Sequence, residues 1–223
     1  MTILPFQNAL RAIACALLLA VAPVAAQAEQ IGVRLDTSTL SGKGWLDLQF
    51  NPGPNTSPAA TAVLSGFSGS LDGAPEVAGN VAGGLPGVLV FNNGTSYNDL
   101  FQPVTLGGIF SFLLDFSGDF LTAGFDSGSV FAVSLYGVDG MTALGNPDPL
   151  TNALVTIGLA PASLAGPGGI TVTVSDPVLA SASDLPATAV PEPGSLLLVL
   201  LGSVALAGVS VRRRSGRSSP RRL

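Results

Sequence analysis

Two aspartates near the middle of the chain have a spacing that could support acid–base chemistry. Asp115 and Asp119 are separated by three residues, Phe-Ser-Gly, and a pair of carboxyl groups held at a suitable distance can cleave a glycosidic bond. The same stretch also has the composition of a hairpin turn with two polar corners. We therefore expect a turn here, and a carboxylate-based glycosidase is the less favoured alternative.

Three aromatic side chains suggest a different use of the body of the protein. Trp45, Tyr97 and Tyr136 could stack on sugar rings, although single aromatic rings in a β-protein more often pack in the core or at an edge. A carbohydrate-binding module for matrix polysaccharide is therefore the main alternative to a protein without ligand chemistry.

The composition removes most other catalytic chemistry. The chain contains no histidine, so it lacks the commonest general base and the commonest transition-metal ligand. Its one cysteine, Cys15, lies in an N-terminal apolar stretch. Oxygen-rich turns at 72–73 and 126–129 lack the ligand spacing of a dedicated calcium loop. We predict no catalytic residue, metal site or cofactor, and no enzymatic activity.

The charge of the body is strongly negative. Residues 29–190 contain thirteen acidic residues against two basic ones, Arg34 and Lys43, which gives a net charge of −11. Such a body repels nucleic acid, and its acidic side chains help to keep a hydrophobic exported protein soluble. We predict no nucleic-acid partner.

Period-two alternation of apolar and polar residues predicts a β-protein. It is clearest over 106–116, 131–135 and 170–174, and shorter candidates are 31–35, 45–50, 61–67, 85–91 and 154–159. Clusters of Gly, Pro, Asn and Asp separate these segments, as turns require. The prediction is an all-β fold with a single β-sandwich ectodomain, jelly-roll-like, over 29–176, followed by a linker or stalk over 177–190.

The N-terminus has the features of a cleaved export signal. Arg11 is the only charge before Glu29, residues 12–22 are apolar, and Ala26 and Ala28 fit the small-x-small cleavage rule. We predict a signal peptide over 1–28, used by the secretion translocon and removed by signal peptidase.

The C-terminus combines three features in a fixed order. Pro191, Glu192 and Pro193 precede an uncharged apolar segment, predicted as a transmembrane helix over 195–211, and a basic tail over 212–223. Its apolar run would form a helix of about 24 Å, slightly short of a ~30 Å hydrocarbon core. Arginines favour the cytoplasmic side, and six of them would anchor the C-terminus there: Arg212, Arg213, Arg214, Arg217, Arg221 and Arg222.

This tail, residues 191–223, resembles the PEP-CTERM sorting signal of Gram-negative bacteria that make exopolysaccharide. The resemblance implies an exosortase, a membrane cysteine transpeptidase, as the processing partner and an association with exopolysaccharide as a further possibility. Two alternatives stay open. One is a plain membrane anchor of the same topology. The other is a sortase signal, since residues 185–189 read Leu-Pro-Ala-Thr-Ala.

The sequence therefore predicts an exported cell-surface or biofilm-matrix protein. Its precursor would be anchored in the inner membrane with a cytoplasmic C-terminus, and exosortase processing would then deliver the body to the cell surface or the matrix.

Overall fold

The structure, a computed structural model, describes residues 30–121, 126–162 and 168–185. All of them belong to Met1–Pro186, one of the two units into which the chain divides. The predicted signal peptide, sorting motif, transmembrane helix and arginine tail lie outside the described residues. Within the described ranges, no helix has the length and apolar character needed to cross a membrane.

The described residues form an all-β fold, as predicted, with one turn of 3₁₀ helix at Asp119–Leu121. Every strand pairing among them is antiparallel. The strands are β1 Gln30–Asp36, β2 Lys43–Pro52, β3 Ala60–Ser68, β4 Glu76–Ala78, β5 Val81–Gly83, β6 Leu89–Asn92, β7 Asp99–Thr105, β8 Ile109–Gly118, β9 Ser129–Tyr136, β10 Val155–Ala160, β11 Gly169–Val174 and β12 Ala180–Leu185.

The twelve strands make two sheets of six. The first sheet has the order β12-β1-β8-β3-β6-β5, and the second has the order β11-β10-β9-β2-β7-β4. The long central strands alternate between the sheets, so β1, β3 and β8 lie in the first and β2, β7 and β9 in the second. The chain therefore crosses from one sheet to the other between β1 and β2, β2 and β3, β7 and β8, and β8 and β9.

Inward-facing side chains of both sheets meet in one hydrophobic core. Alternate residues of β8, the phenylalanine-rich strand, are buried as its period-two pattern predicts. Phe131 of β9 is fully buried and contacts rings from both sheets. Its ring centroid lies 6.2 Å from that of Phe50 in the second sheet, and 5.5 and 6.2 Å from those of Phe91 and Phe116 in the first.

The structure corrects three local predictions. The segment predicted as a hairpin turn around Asp115 and Asp119 instead continues β8 to Gly118, and Asp119 begins the 3₁₀ helix. The strand predicted over 85–91 is confined to Leu89–Asn92. Part of the predicted stalk belongs to the first sheet, since Ala180–Leu185 pairs with β1 over six residues.

Four strands carried too weak a pattern to be predicted: β4, β5, β7 and β12. In β7 the alternation is interrupted by Gln102 and Pro103. Proline is tolerated there because β4 pairs only with residues 99–101, so Pro103 lies beyond the stretch of β7 that β4 covers. In β12 small and polar residues predominate, so its side chains give no alternating apolar pattern. Backbone pairing with β1 holds this strand in the sheet instead.

Candidate functional site

A cleft of about 480 Å³ opens on the outer face of the second sheet, and we call it the acidic cleft. Its charged and amide side chains are Asp47, Gln49, Glu76, Asp99 and Asn152. Its other lining residues are Tyr97, Phe101, Tyr136, Gly140 and Met141. Volumes of this order are common among ligand sites.

Strand alternation places the polar side chains of the cleft on the outer face. Along β2, Leu46, Leu48 and Phe50 are buried in the core, so Asp47 and Gln49 point to the opposite face. On the neighbouring strand β7, Asp99 pairs with Gln49, while Asp47 pairs with Phe101. Asp47 and Asp99 are therefore diagonal neighbours on one face, within reach of each other.

Asp47 and Asp99 form a buried carboxyl pair. Their exposed fractions are only 4% and 8%, and the Oδ1 atom of each is buried without a hydrogen-bond partner. Gln49 donates from Nε2 to the other oxygen of Asp47, at 2.9 Å. Burial, together with the hydrogen bond to Asp99 and the negative charge of that residue, raises the pKa of Asp47 to about 8. Asp47 therefore holds a proton near neutral pH.

An aromatic cluster forms one side of the cleft. The ring of Phe101 stacks on Trp45, with centroids 4.5 Å apart and planes 7° from parallel. Tyr136 meets Phe101 edge-on at 5.9 Å. Tyr97 is about half exposed. Burial, together with the negative charge of Asp99 and a hydrogen bond to that residue, raises its pKa to about 12.

The connection between β9 and β10 bounds the cleft with Gly140, Met141 and Asn152. Asp139 Oδ1 accepts hydrogen bonds from the backbone N–H groups of Met141 and Thr142. Asn152 adopts a left-handed backbone conformation, with φ 58°, which asparagine tolerates better than most residues. Its side chain is hydrogen-bonded to Tyr136.

Asp176 ties this connection to the turn before β12. Its carboxylate accepts hydrogen bonds from the N–H groups of Asn146, Val178 and Leu179. Burial opposes ionisation of Asp176, but these three donors outweigh it and lower its pKa. The connection that bounds the cleft is therefore tethered to this turn at Asn146.

The structure brings together two of the three aromatic residues predicted to contact sugar. Tyr97 and Tyr136 line the acidic cleft, whereas Trp45 lies behind Phe101 and is not a lining residue. Asp115 lies in the first sheet, where both its oxygens accept from Gln30 Nε2 at 3.1 Å. Asp119 is likewise not among the lining residues.

The sequence did not predict the carboxyl pair or Phe101. The available signal was an aspartate at the centre of the apolar segment 45–50, but its partner Asp99 was invisible without the register of β7. The two carboxyl groups are in hydrogen-bonding contact, closer than the ~5–9.5 Å at which glycosidase carboxyl groups flank a glycosidic bond. This pair is therefore unsuited to that chemistry.

One of the two oxygen-rich turns considered as calcium sites contributes to an ion pair. Asp72 forms an ion pair with Lys43, at 2.7 Å. Within the described ranges, no group of three or more acidic, histidine or cysteine side chains is arranged to hold a metal ion.

Fold and cleft define the described part of the chain as an all-β protein with an acidic, aromatic site on one sheet. The sequence beyond it carries a PEP-CTERM protein-sorting motif, since residues 189–214 match the model of that family. The match includes Pro191, Glu192 and Pro193. Comparison with curated proteins and with solved structures gives no match. The motif implies an exported protein that is anchored in a membrane and then processed by an exosortase.

Proposed function

We propose that this chain is a non-enzymatic surface or extracellular-matrix protein, associated with exopolysaccharide, which an exosortase sorts through Pro191, Glu192 and Pro193. The match over residues 189–214 carries the proposal. The order of the three tail features supports an inner-membrane precursor, because arginines at 212–222 favour the cytoplasmic side. The described body would then lie outside, after signal peptidase cuts following Ala28.

The exported body is, in this proposal, a β-sandwich with jelly-roll connectivity. The order of the first eight strands supports it, since β1-β8-β3-β6 are neighbours in one sheet and β2-β7-β4 in the other. The hairpin β5–β6 extends the first sheet, and β9 to β12 enlarge both sheets at the opposite edges.

Sorting is tested by intact-mass measurement of the protein in fractions of its native host. We expect a processed form outside the inner membrane, starting at Glu29 and ending near Pro193. Glu192→Ala and deletion of residues 212–223 should each leave unprocessed protein in the inner membrane. Asp184→Ala, which removes an exposed acidic side chain nearby, is the matched control and should be processed normally. Normal processing of both tail variants would refute the sorting mechanism.

A specific observation favours carbohydrate binding as the role of the body. Tyr97, Phe101 and Tyr136 present ring surfaces in one cleft, beside carboxyl and amide groups that can bond to hydroxyls. Ligand sites commonly combine apolar ring surfaces with a few placed polar groups in this way. The occupant proposed for the cleft is a matrix polysaccharide.

Carbohydrate binding is tested by calorimetry with oligosaccharides from the host matrix. Tyr97→Ala removes a half-exposed ring and should weaken binding by about tenfold, the equivalent of about 1.4 kcal/mol. Val138→Ala is the control, because Val138 is exposed on the connection between β9 and β10, which bounds the cleft, and does not itself line the cleft. Equal affinities of both variants and the unmodified protein would exclude the cleft as the glycan site.

A further inference from the structure

We propose that the acidic cleft recognises a glycan with free, protonated amino groups, and that one such ammonium group binds against Asp47 and Asp99. This inference rests on the proposed carbohydrate-binding function and narrows its ligand to an amino sugar whose nitrogen is not acylated.

The charges around the cleft favour the binding of a cation. Three carboxyl groups line it, those of Asp47, Glu76 and Asp99, and no lysine or arginine does. The two basic residues of the described ranges have acidic partners elsewhere: Arg34 bonds to Asp36 at 3.0 Å, and Lys43 bonds to Asp72 at 2.7 Å. The described part of the chain therefore supplies no counterion to the buried pair.

The hydrogen-bonding needs of the pair also match an ammonium group. When both carboxyl groups are ionised, the Oδ1 atoms of Asp47 and Asp99 are buried acceptors without a donor, in residues more than nine-tenths buried that line the cleft. The proton that Asp47 holds bridges the pair until a cation replaces it. A buried acceptor without a donor is costly. An ammonium group offers three donors and can serve both oxygens at once, whereas a neutral hydroxyl offers one.

The aromatic rings favour the same chemistry. Phe101, Tyr97 and Tyr136 lie beside the carboxyl pair, and the face of an aromatic ring attracts a nearby cation. A bare metal ion fits less well, because the described residues contain no cluster of three ligating side chains. The geometry therefore favours an ammonium group carried on a larger molecule.

A sugar suits the remainder of the cleft better than a lysine side chain does. Gln49 and Asn152 present amide groups and the tyrosines present hydroxyls around the carboxyl pair. These groups can exchange hydrogen bonds with several sugar hydroxyls, while the methylene chain of a lysine would leave them unused. We therefore assign the cleft to an amino sugar within a polymer.

The first test compares two ligands that differ only at nitrogen. Calorimetry on protein from cells expressing the whole chain would use glucosamine oligomers and N-acetylglucosamine oligomers of the same linkage and length. We expect the free-amine oligomer to bind at least about tenfold more tightly, and less tightly as salt is added. Equal or tighter binding of the acetylated oligomer would overturn this inference and leave carbohydrate binding standing.

Two further outcomes of that comparison are decisive. If neither oligomer nor any matrix oligosaccharide binds, the carbohydrate function and this inference both fail. If a lysine-rich peptide binds as tightly as the free-amine oligomer, the cleft recognises amines without recognising sugar, and the assignment to a glycan is wrong.

A pair of charge variants locates the site without disturbing the fold. Met141 and Leu150 lie on the same connection between strands and are 82% and 92% exposed, but only Met141 lines the cleft. Met141→Arg should weaken binding of the free-amine oligomer by at least about tenfold through charge repulsion, while Leu150→Arg should change it less than about twofold. Similar effects of the two variants would place the amine elsewhere.

Proton release provides an independent readout. A bound cation should displace the proton held by Asp47, which is faced by Asp99 and Tyr97, by Tyr136 of β9 and by Glu76 at the sheet edge. Binding of the free-amine oligomer near pH 6 should therefore release a proton, which calorimetry detects as a heat that varies with the ionisation enthalpy of the buffer. Asp47→Asn should abolish this proton release. Binding by the unmodified protein without proton release would mean that Asp47 keeps its proton in the complex, contrary to the proposal.

Discussion

Aspartate side chains on the outer faces of the two sheets differ in their hydrogen bonding. On the first sheet, Asp115 of β8 lies opposite Gln30 of β1, and both its oxygens accept a hydrogen bond from that amide. On the second sheet, Asp47 and Asp99 lie against each other, and each has a buried oxygen without a partner. The carboxylate on the first face is satisfied within the sheet, while the pair on the second face has no donor for either Oδ1 atom from the rest of the described chain.

What covers the two faces explains the difference. The aromatic residues and the connection between β9 and β10 shield Asp47 and Asp99 from water, whereas Asp115 is only half-buried. A shielded pair of carboxyl groups reduces stability unless something compensates, because ionising both would place two like charges side by side. Such arrangements concentrate at sites of function, so the second sheet is where we place ligand binding and the first sheet is where we expect ordinary structural behaviour.

The largest effect should come from the core that both faces share. Phe131→Ala removes a fully buried ring that contacts phenylalanines of both sheets, so it should lower the free energy of unfolding by about 3–5 kcal/mol. Urea unfolding measures the loss. Val130→Ala, which changes a partly exposed neighbour, should change the free energy of unfolding by less than about 0.5 kcal/mol. Separate unfolding transitions for the two sheets would show that the faces do not rest on one core.

A smaller effect should distinguish the second sheet from the first. The pKa of Asp47 is raised in the folded protein to about 8, from its ordinary value of 3.8. The folded state therefore keeps a proton that the unfolded chain loses, and stability falls as pH rises through this interval, by at most about 1.4 kcal/mol per pH unit. Asp47→Asn should remove this slope and be about 1–3 kcal/mol more stable than the unmodified protein near pH 8.

Chemical denaturation at several pH values checks this prediction. Asp139 and Asp176 do not obscure it, because their pKa values are lowered and their contributions are lost only in more acidic solution. A variant with the same pH slope as the unmodified protein would mean that Asp47 is ionised in the folded state, and the contrast between the two faces would disappear.

Sequence patterns predicted the strands that build the core but not all the strands that frame the site. β8 shows its period-two burial in the sequence because its inner face is purely apolar, and in β9 the inner residues Phe131, Val133 and Leu135 give the same signal. β7, which contributes Asp99 and Phe101, lacks that signal because Gln102 faces inward and bonds to the backbone of Gly73 and Pro103. Local pattern alone cannot identify a strand whose buried polar group is satisfied by tertiary contacts.

The candidate site was predicted by residue type but not by arrangement. Tyr97 and Tyr136 were candidates because aromatic rings suit sugars, and they line the cleft. Asp47 and Asp99 are 52 positions apart in the chain, and their contact depends on the register of β2 against β7. That register follows from the packing of the whole second sheet, so no local motif could reveal the pair.

The smallest effect should come from the first sheet and completes the comparison. Asp115→Asn weakens one charge-assisted hydrogen bond at a half-buried position, so it should cost only about 0.5–1.5 kcal/mol. Gln30→Ala should lower the free energy of unfolding by a similar amount. The double variant should lower it by less than the sum of the two, because both changes affect the same hydrogen bond. Thermal or urea unfolding measures all three. If Asp115→Asn instead stabilised the protein as strongly as Asp47→Asn, carboxylates on both faces would be equally unfavourable, and burial on the second sheet would no longer single out the acidic cleft.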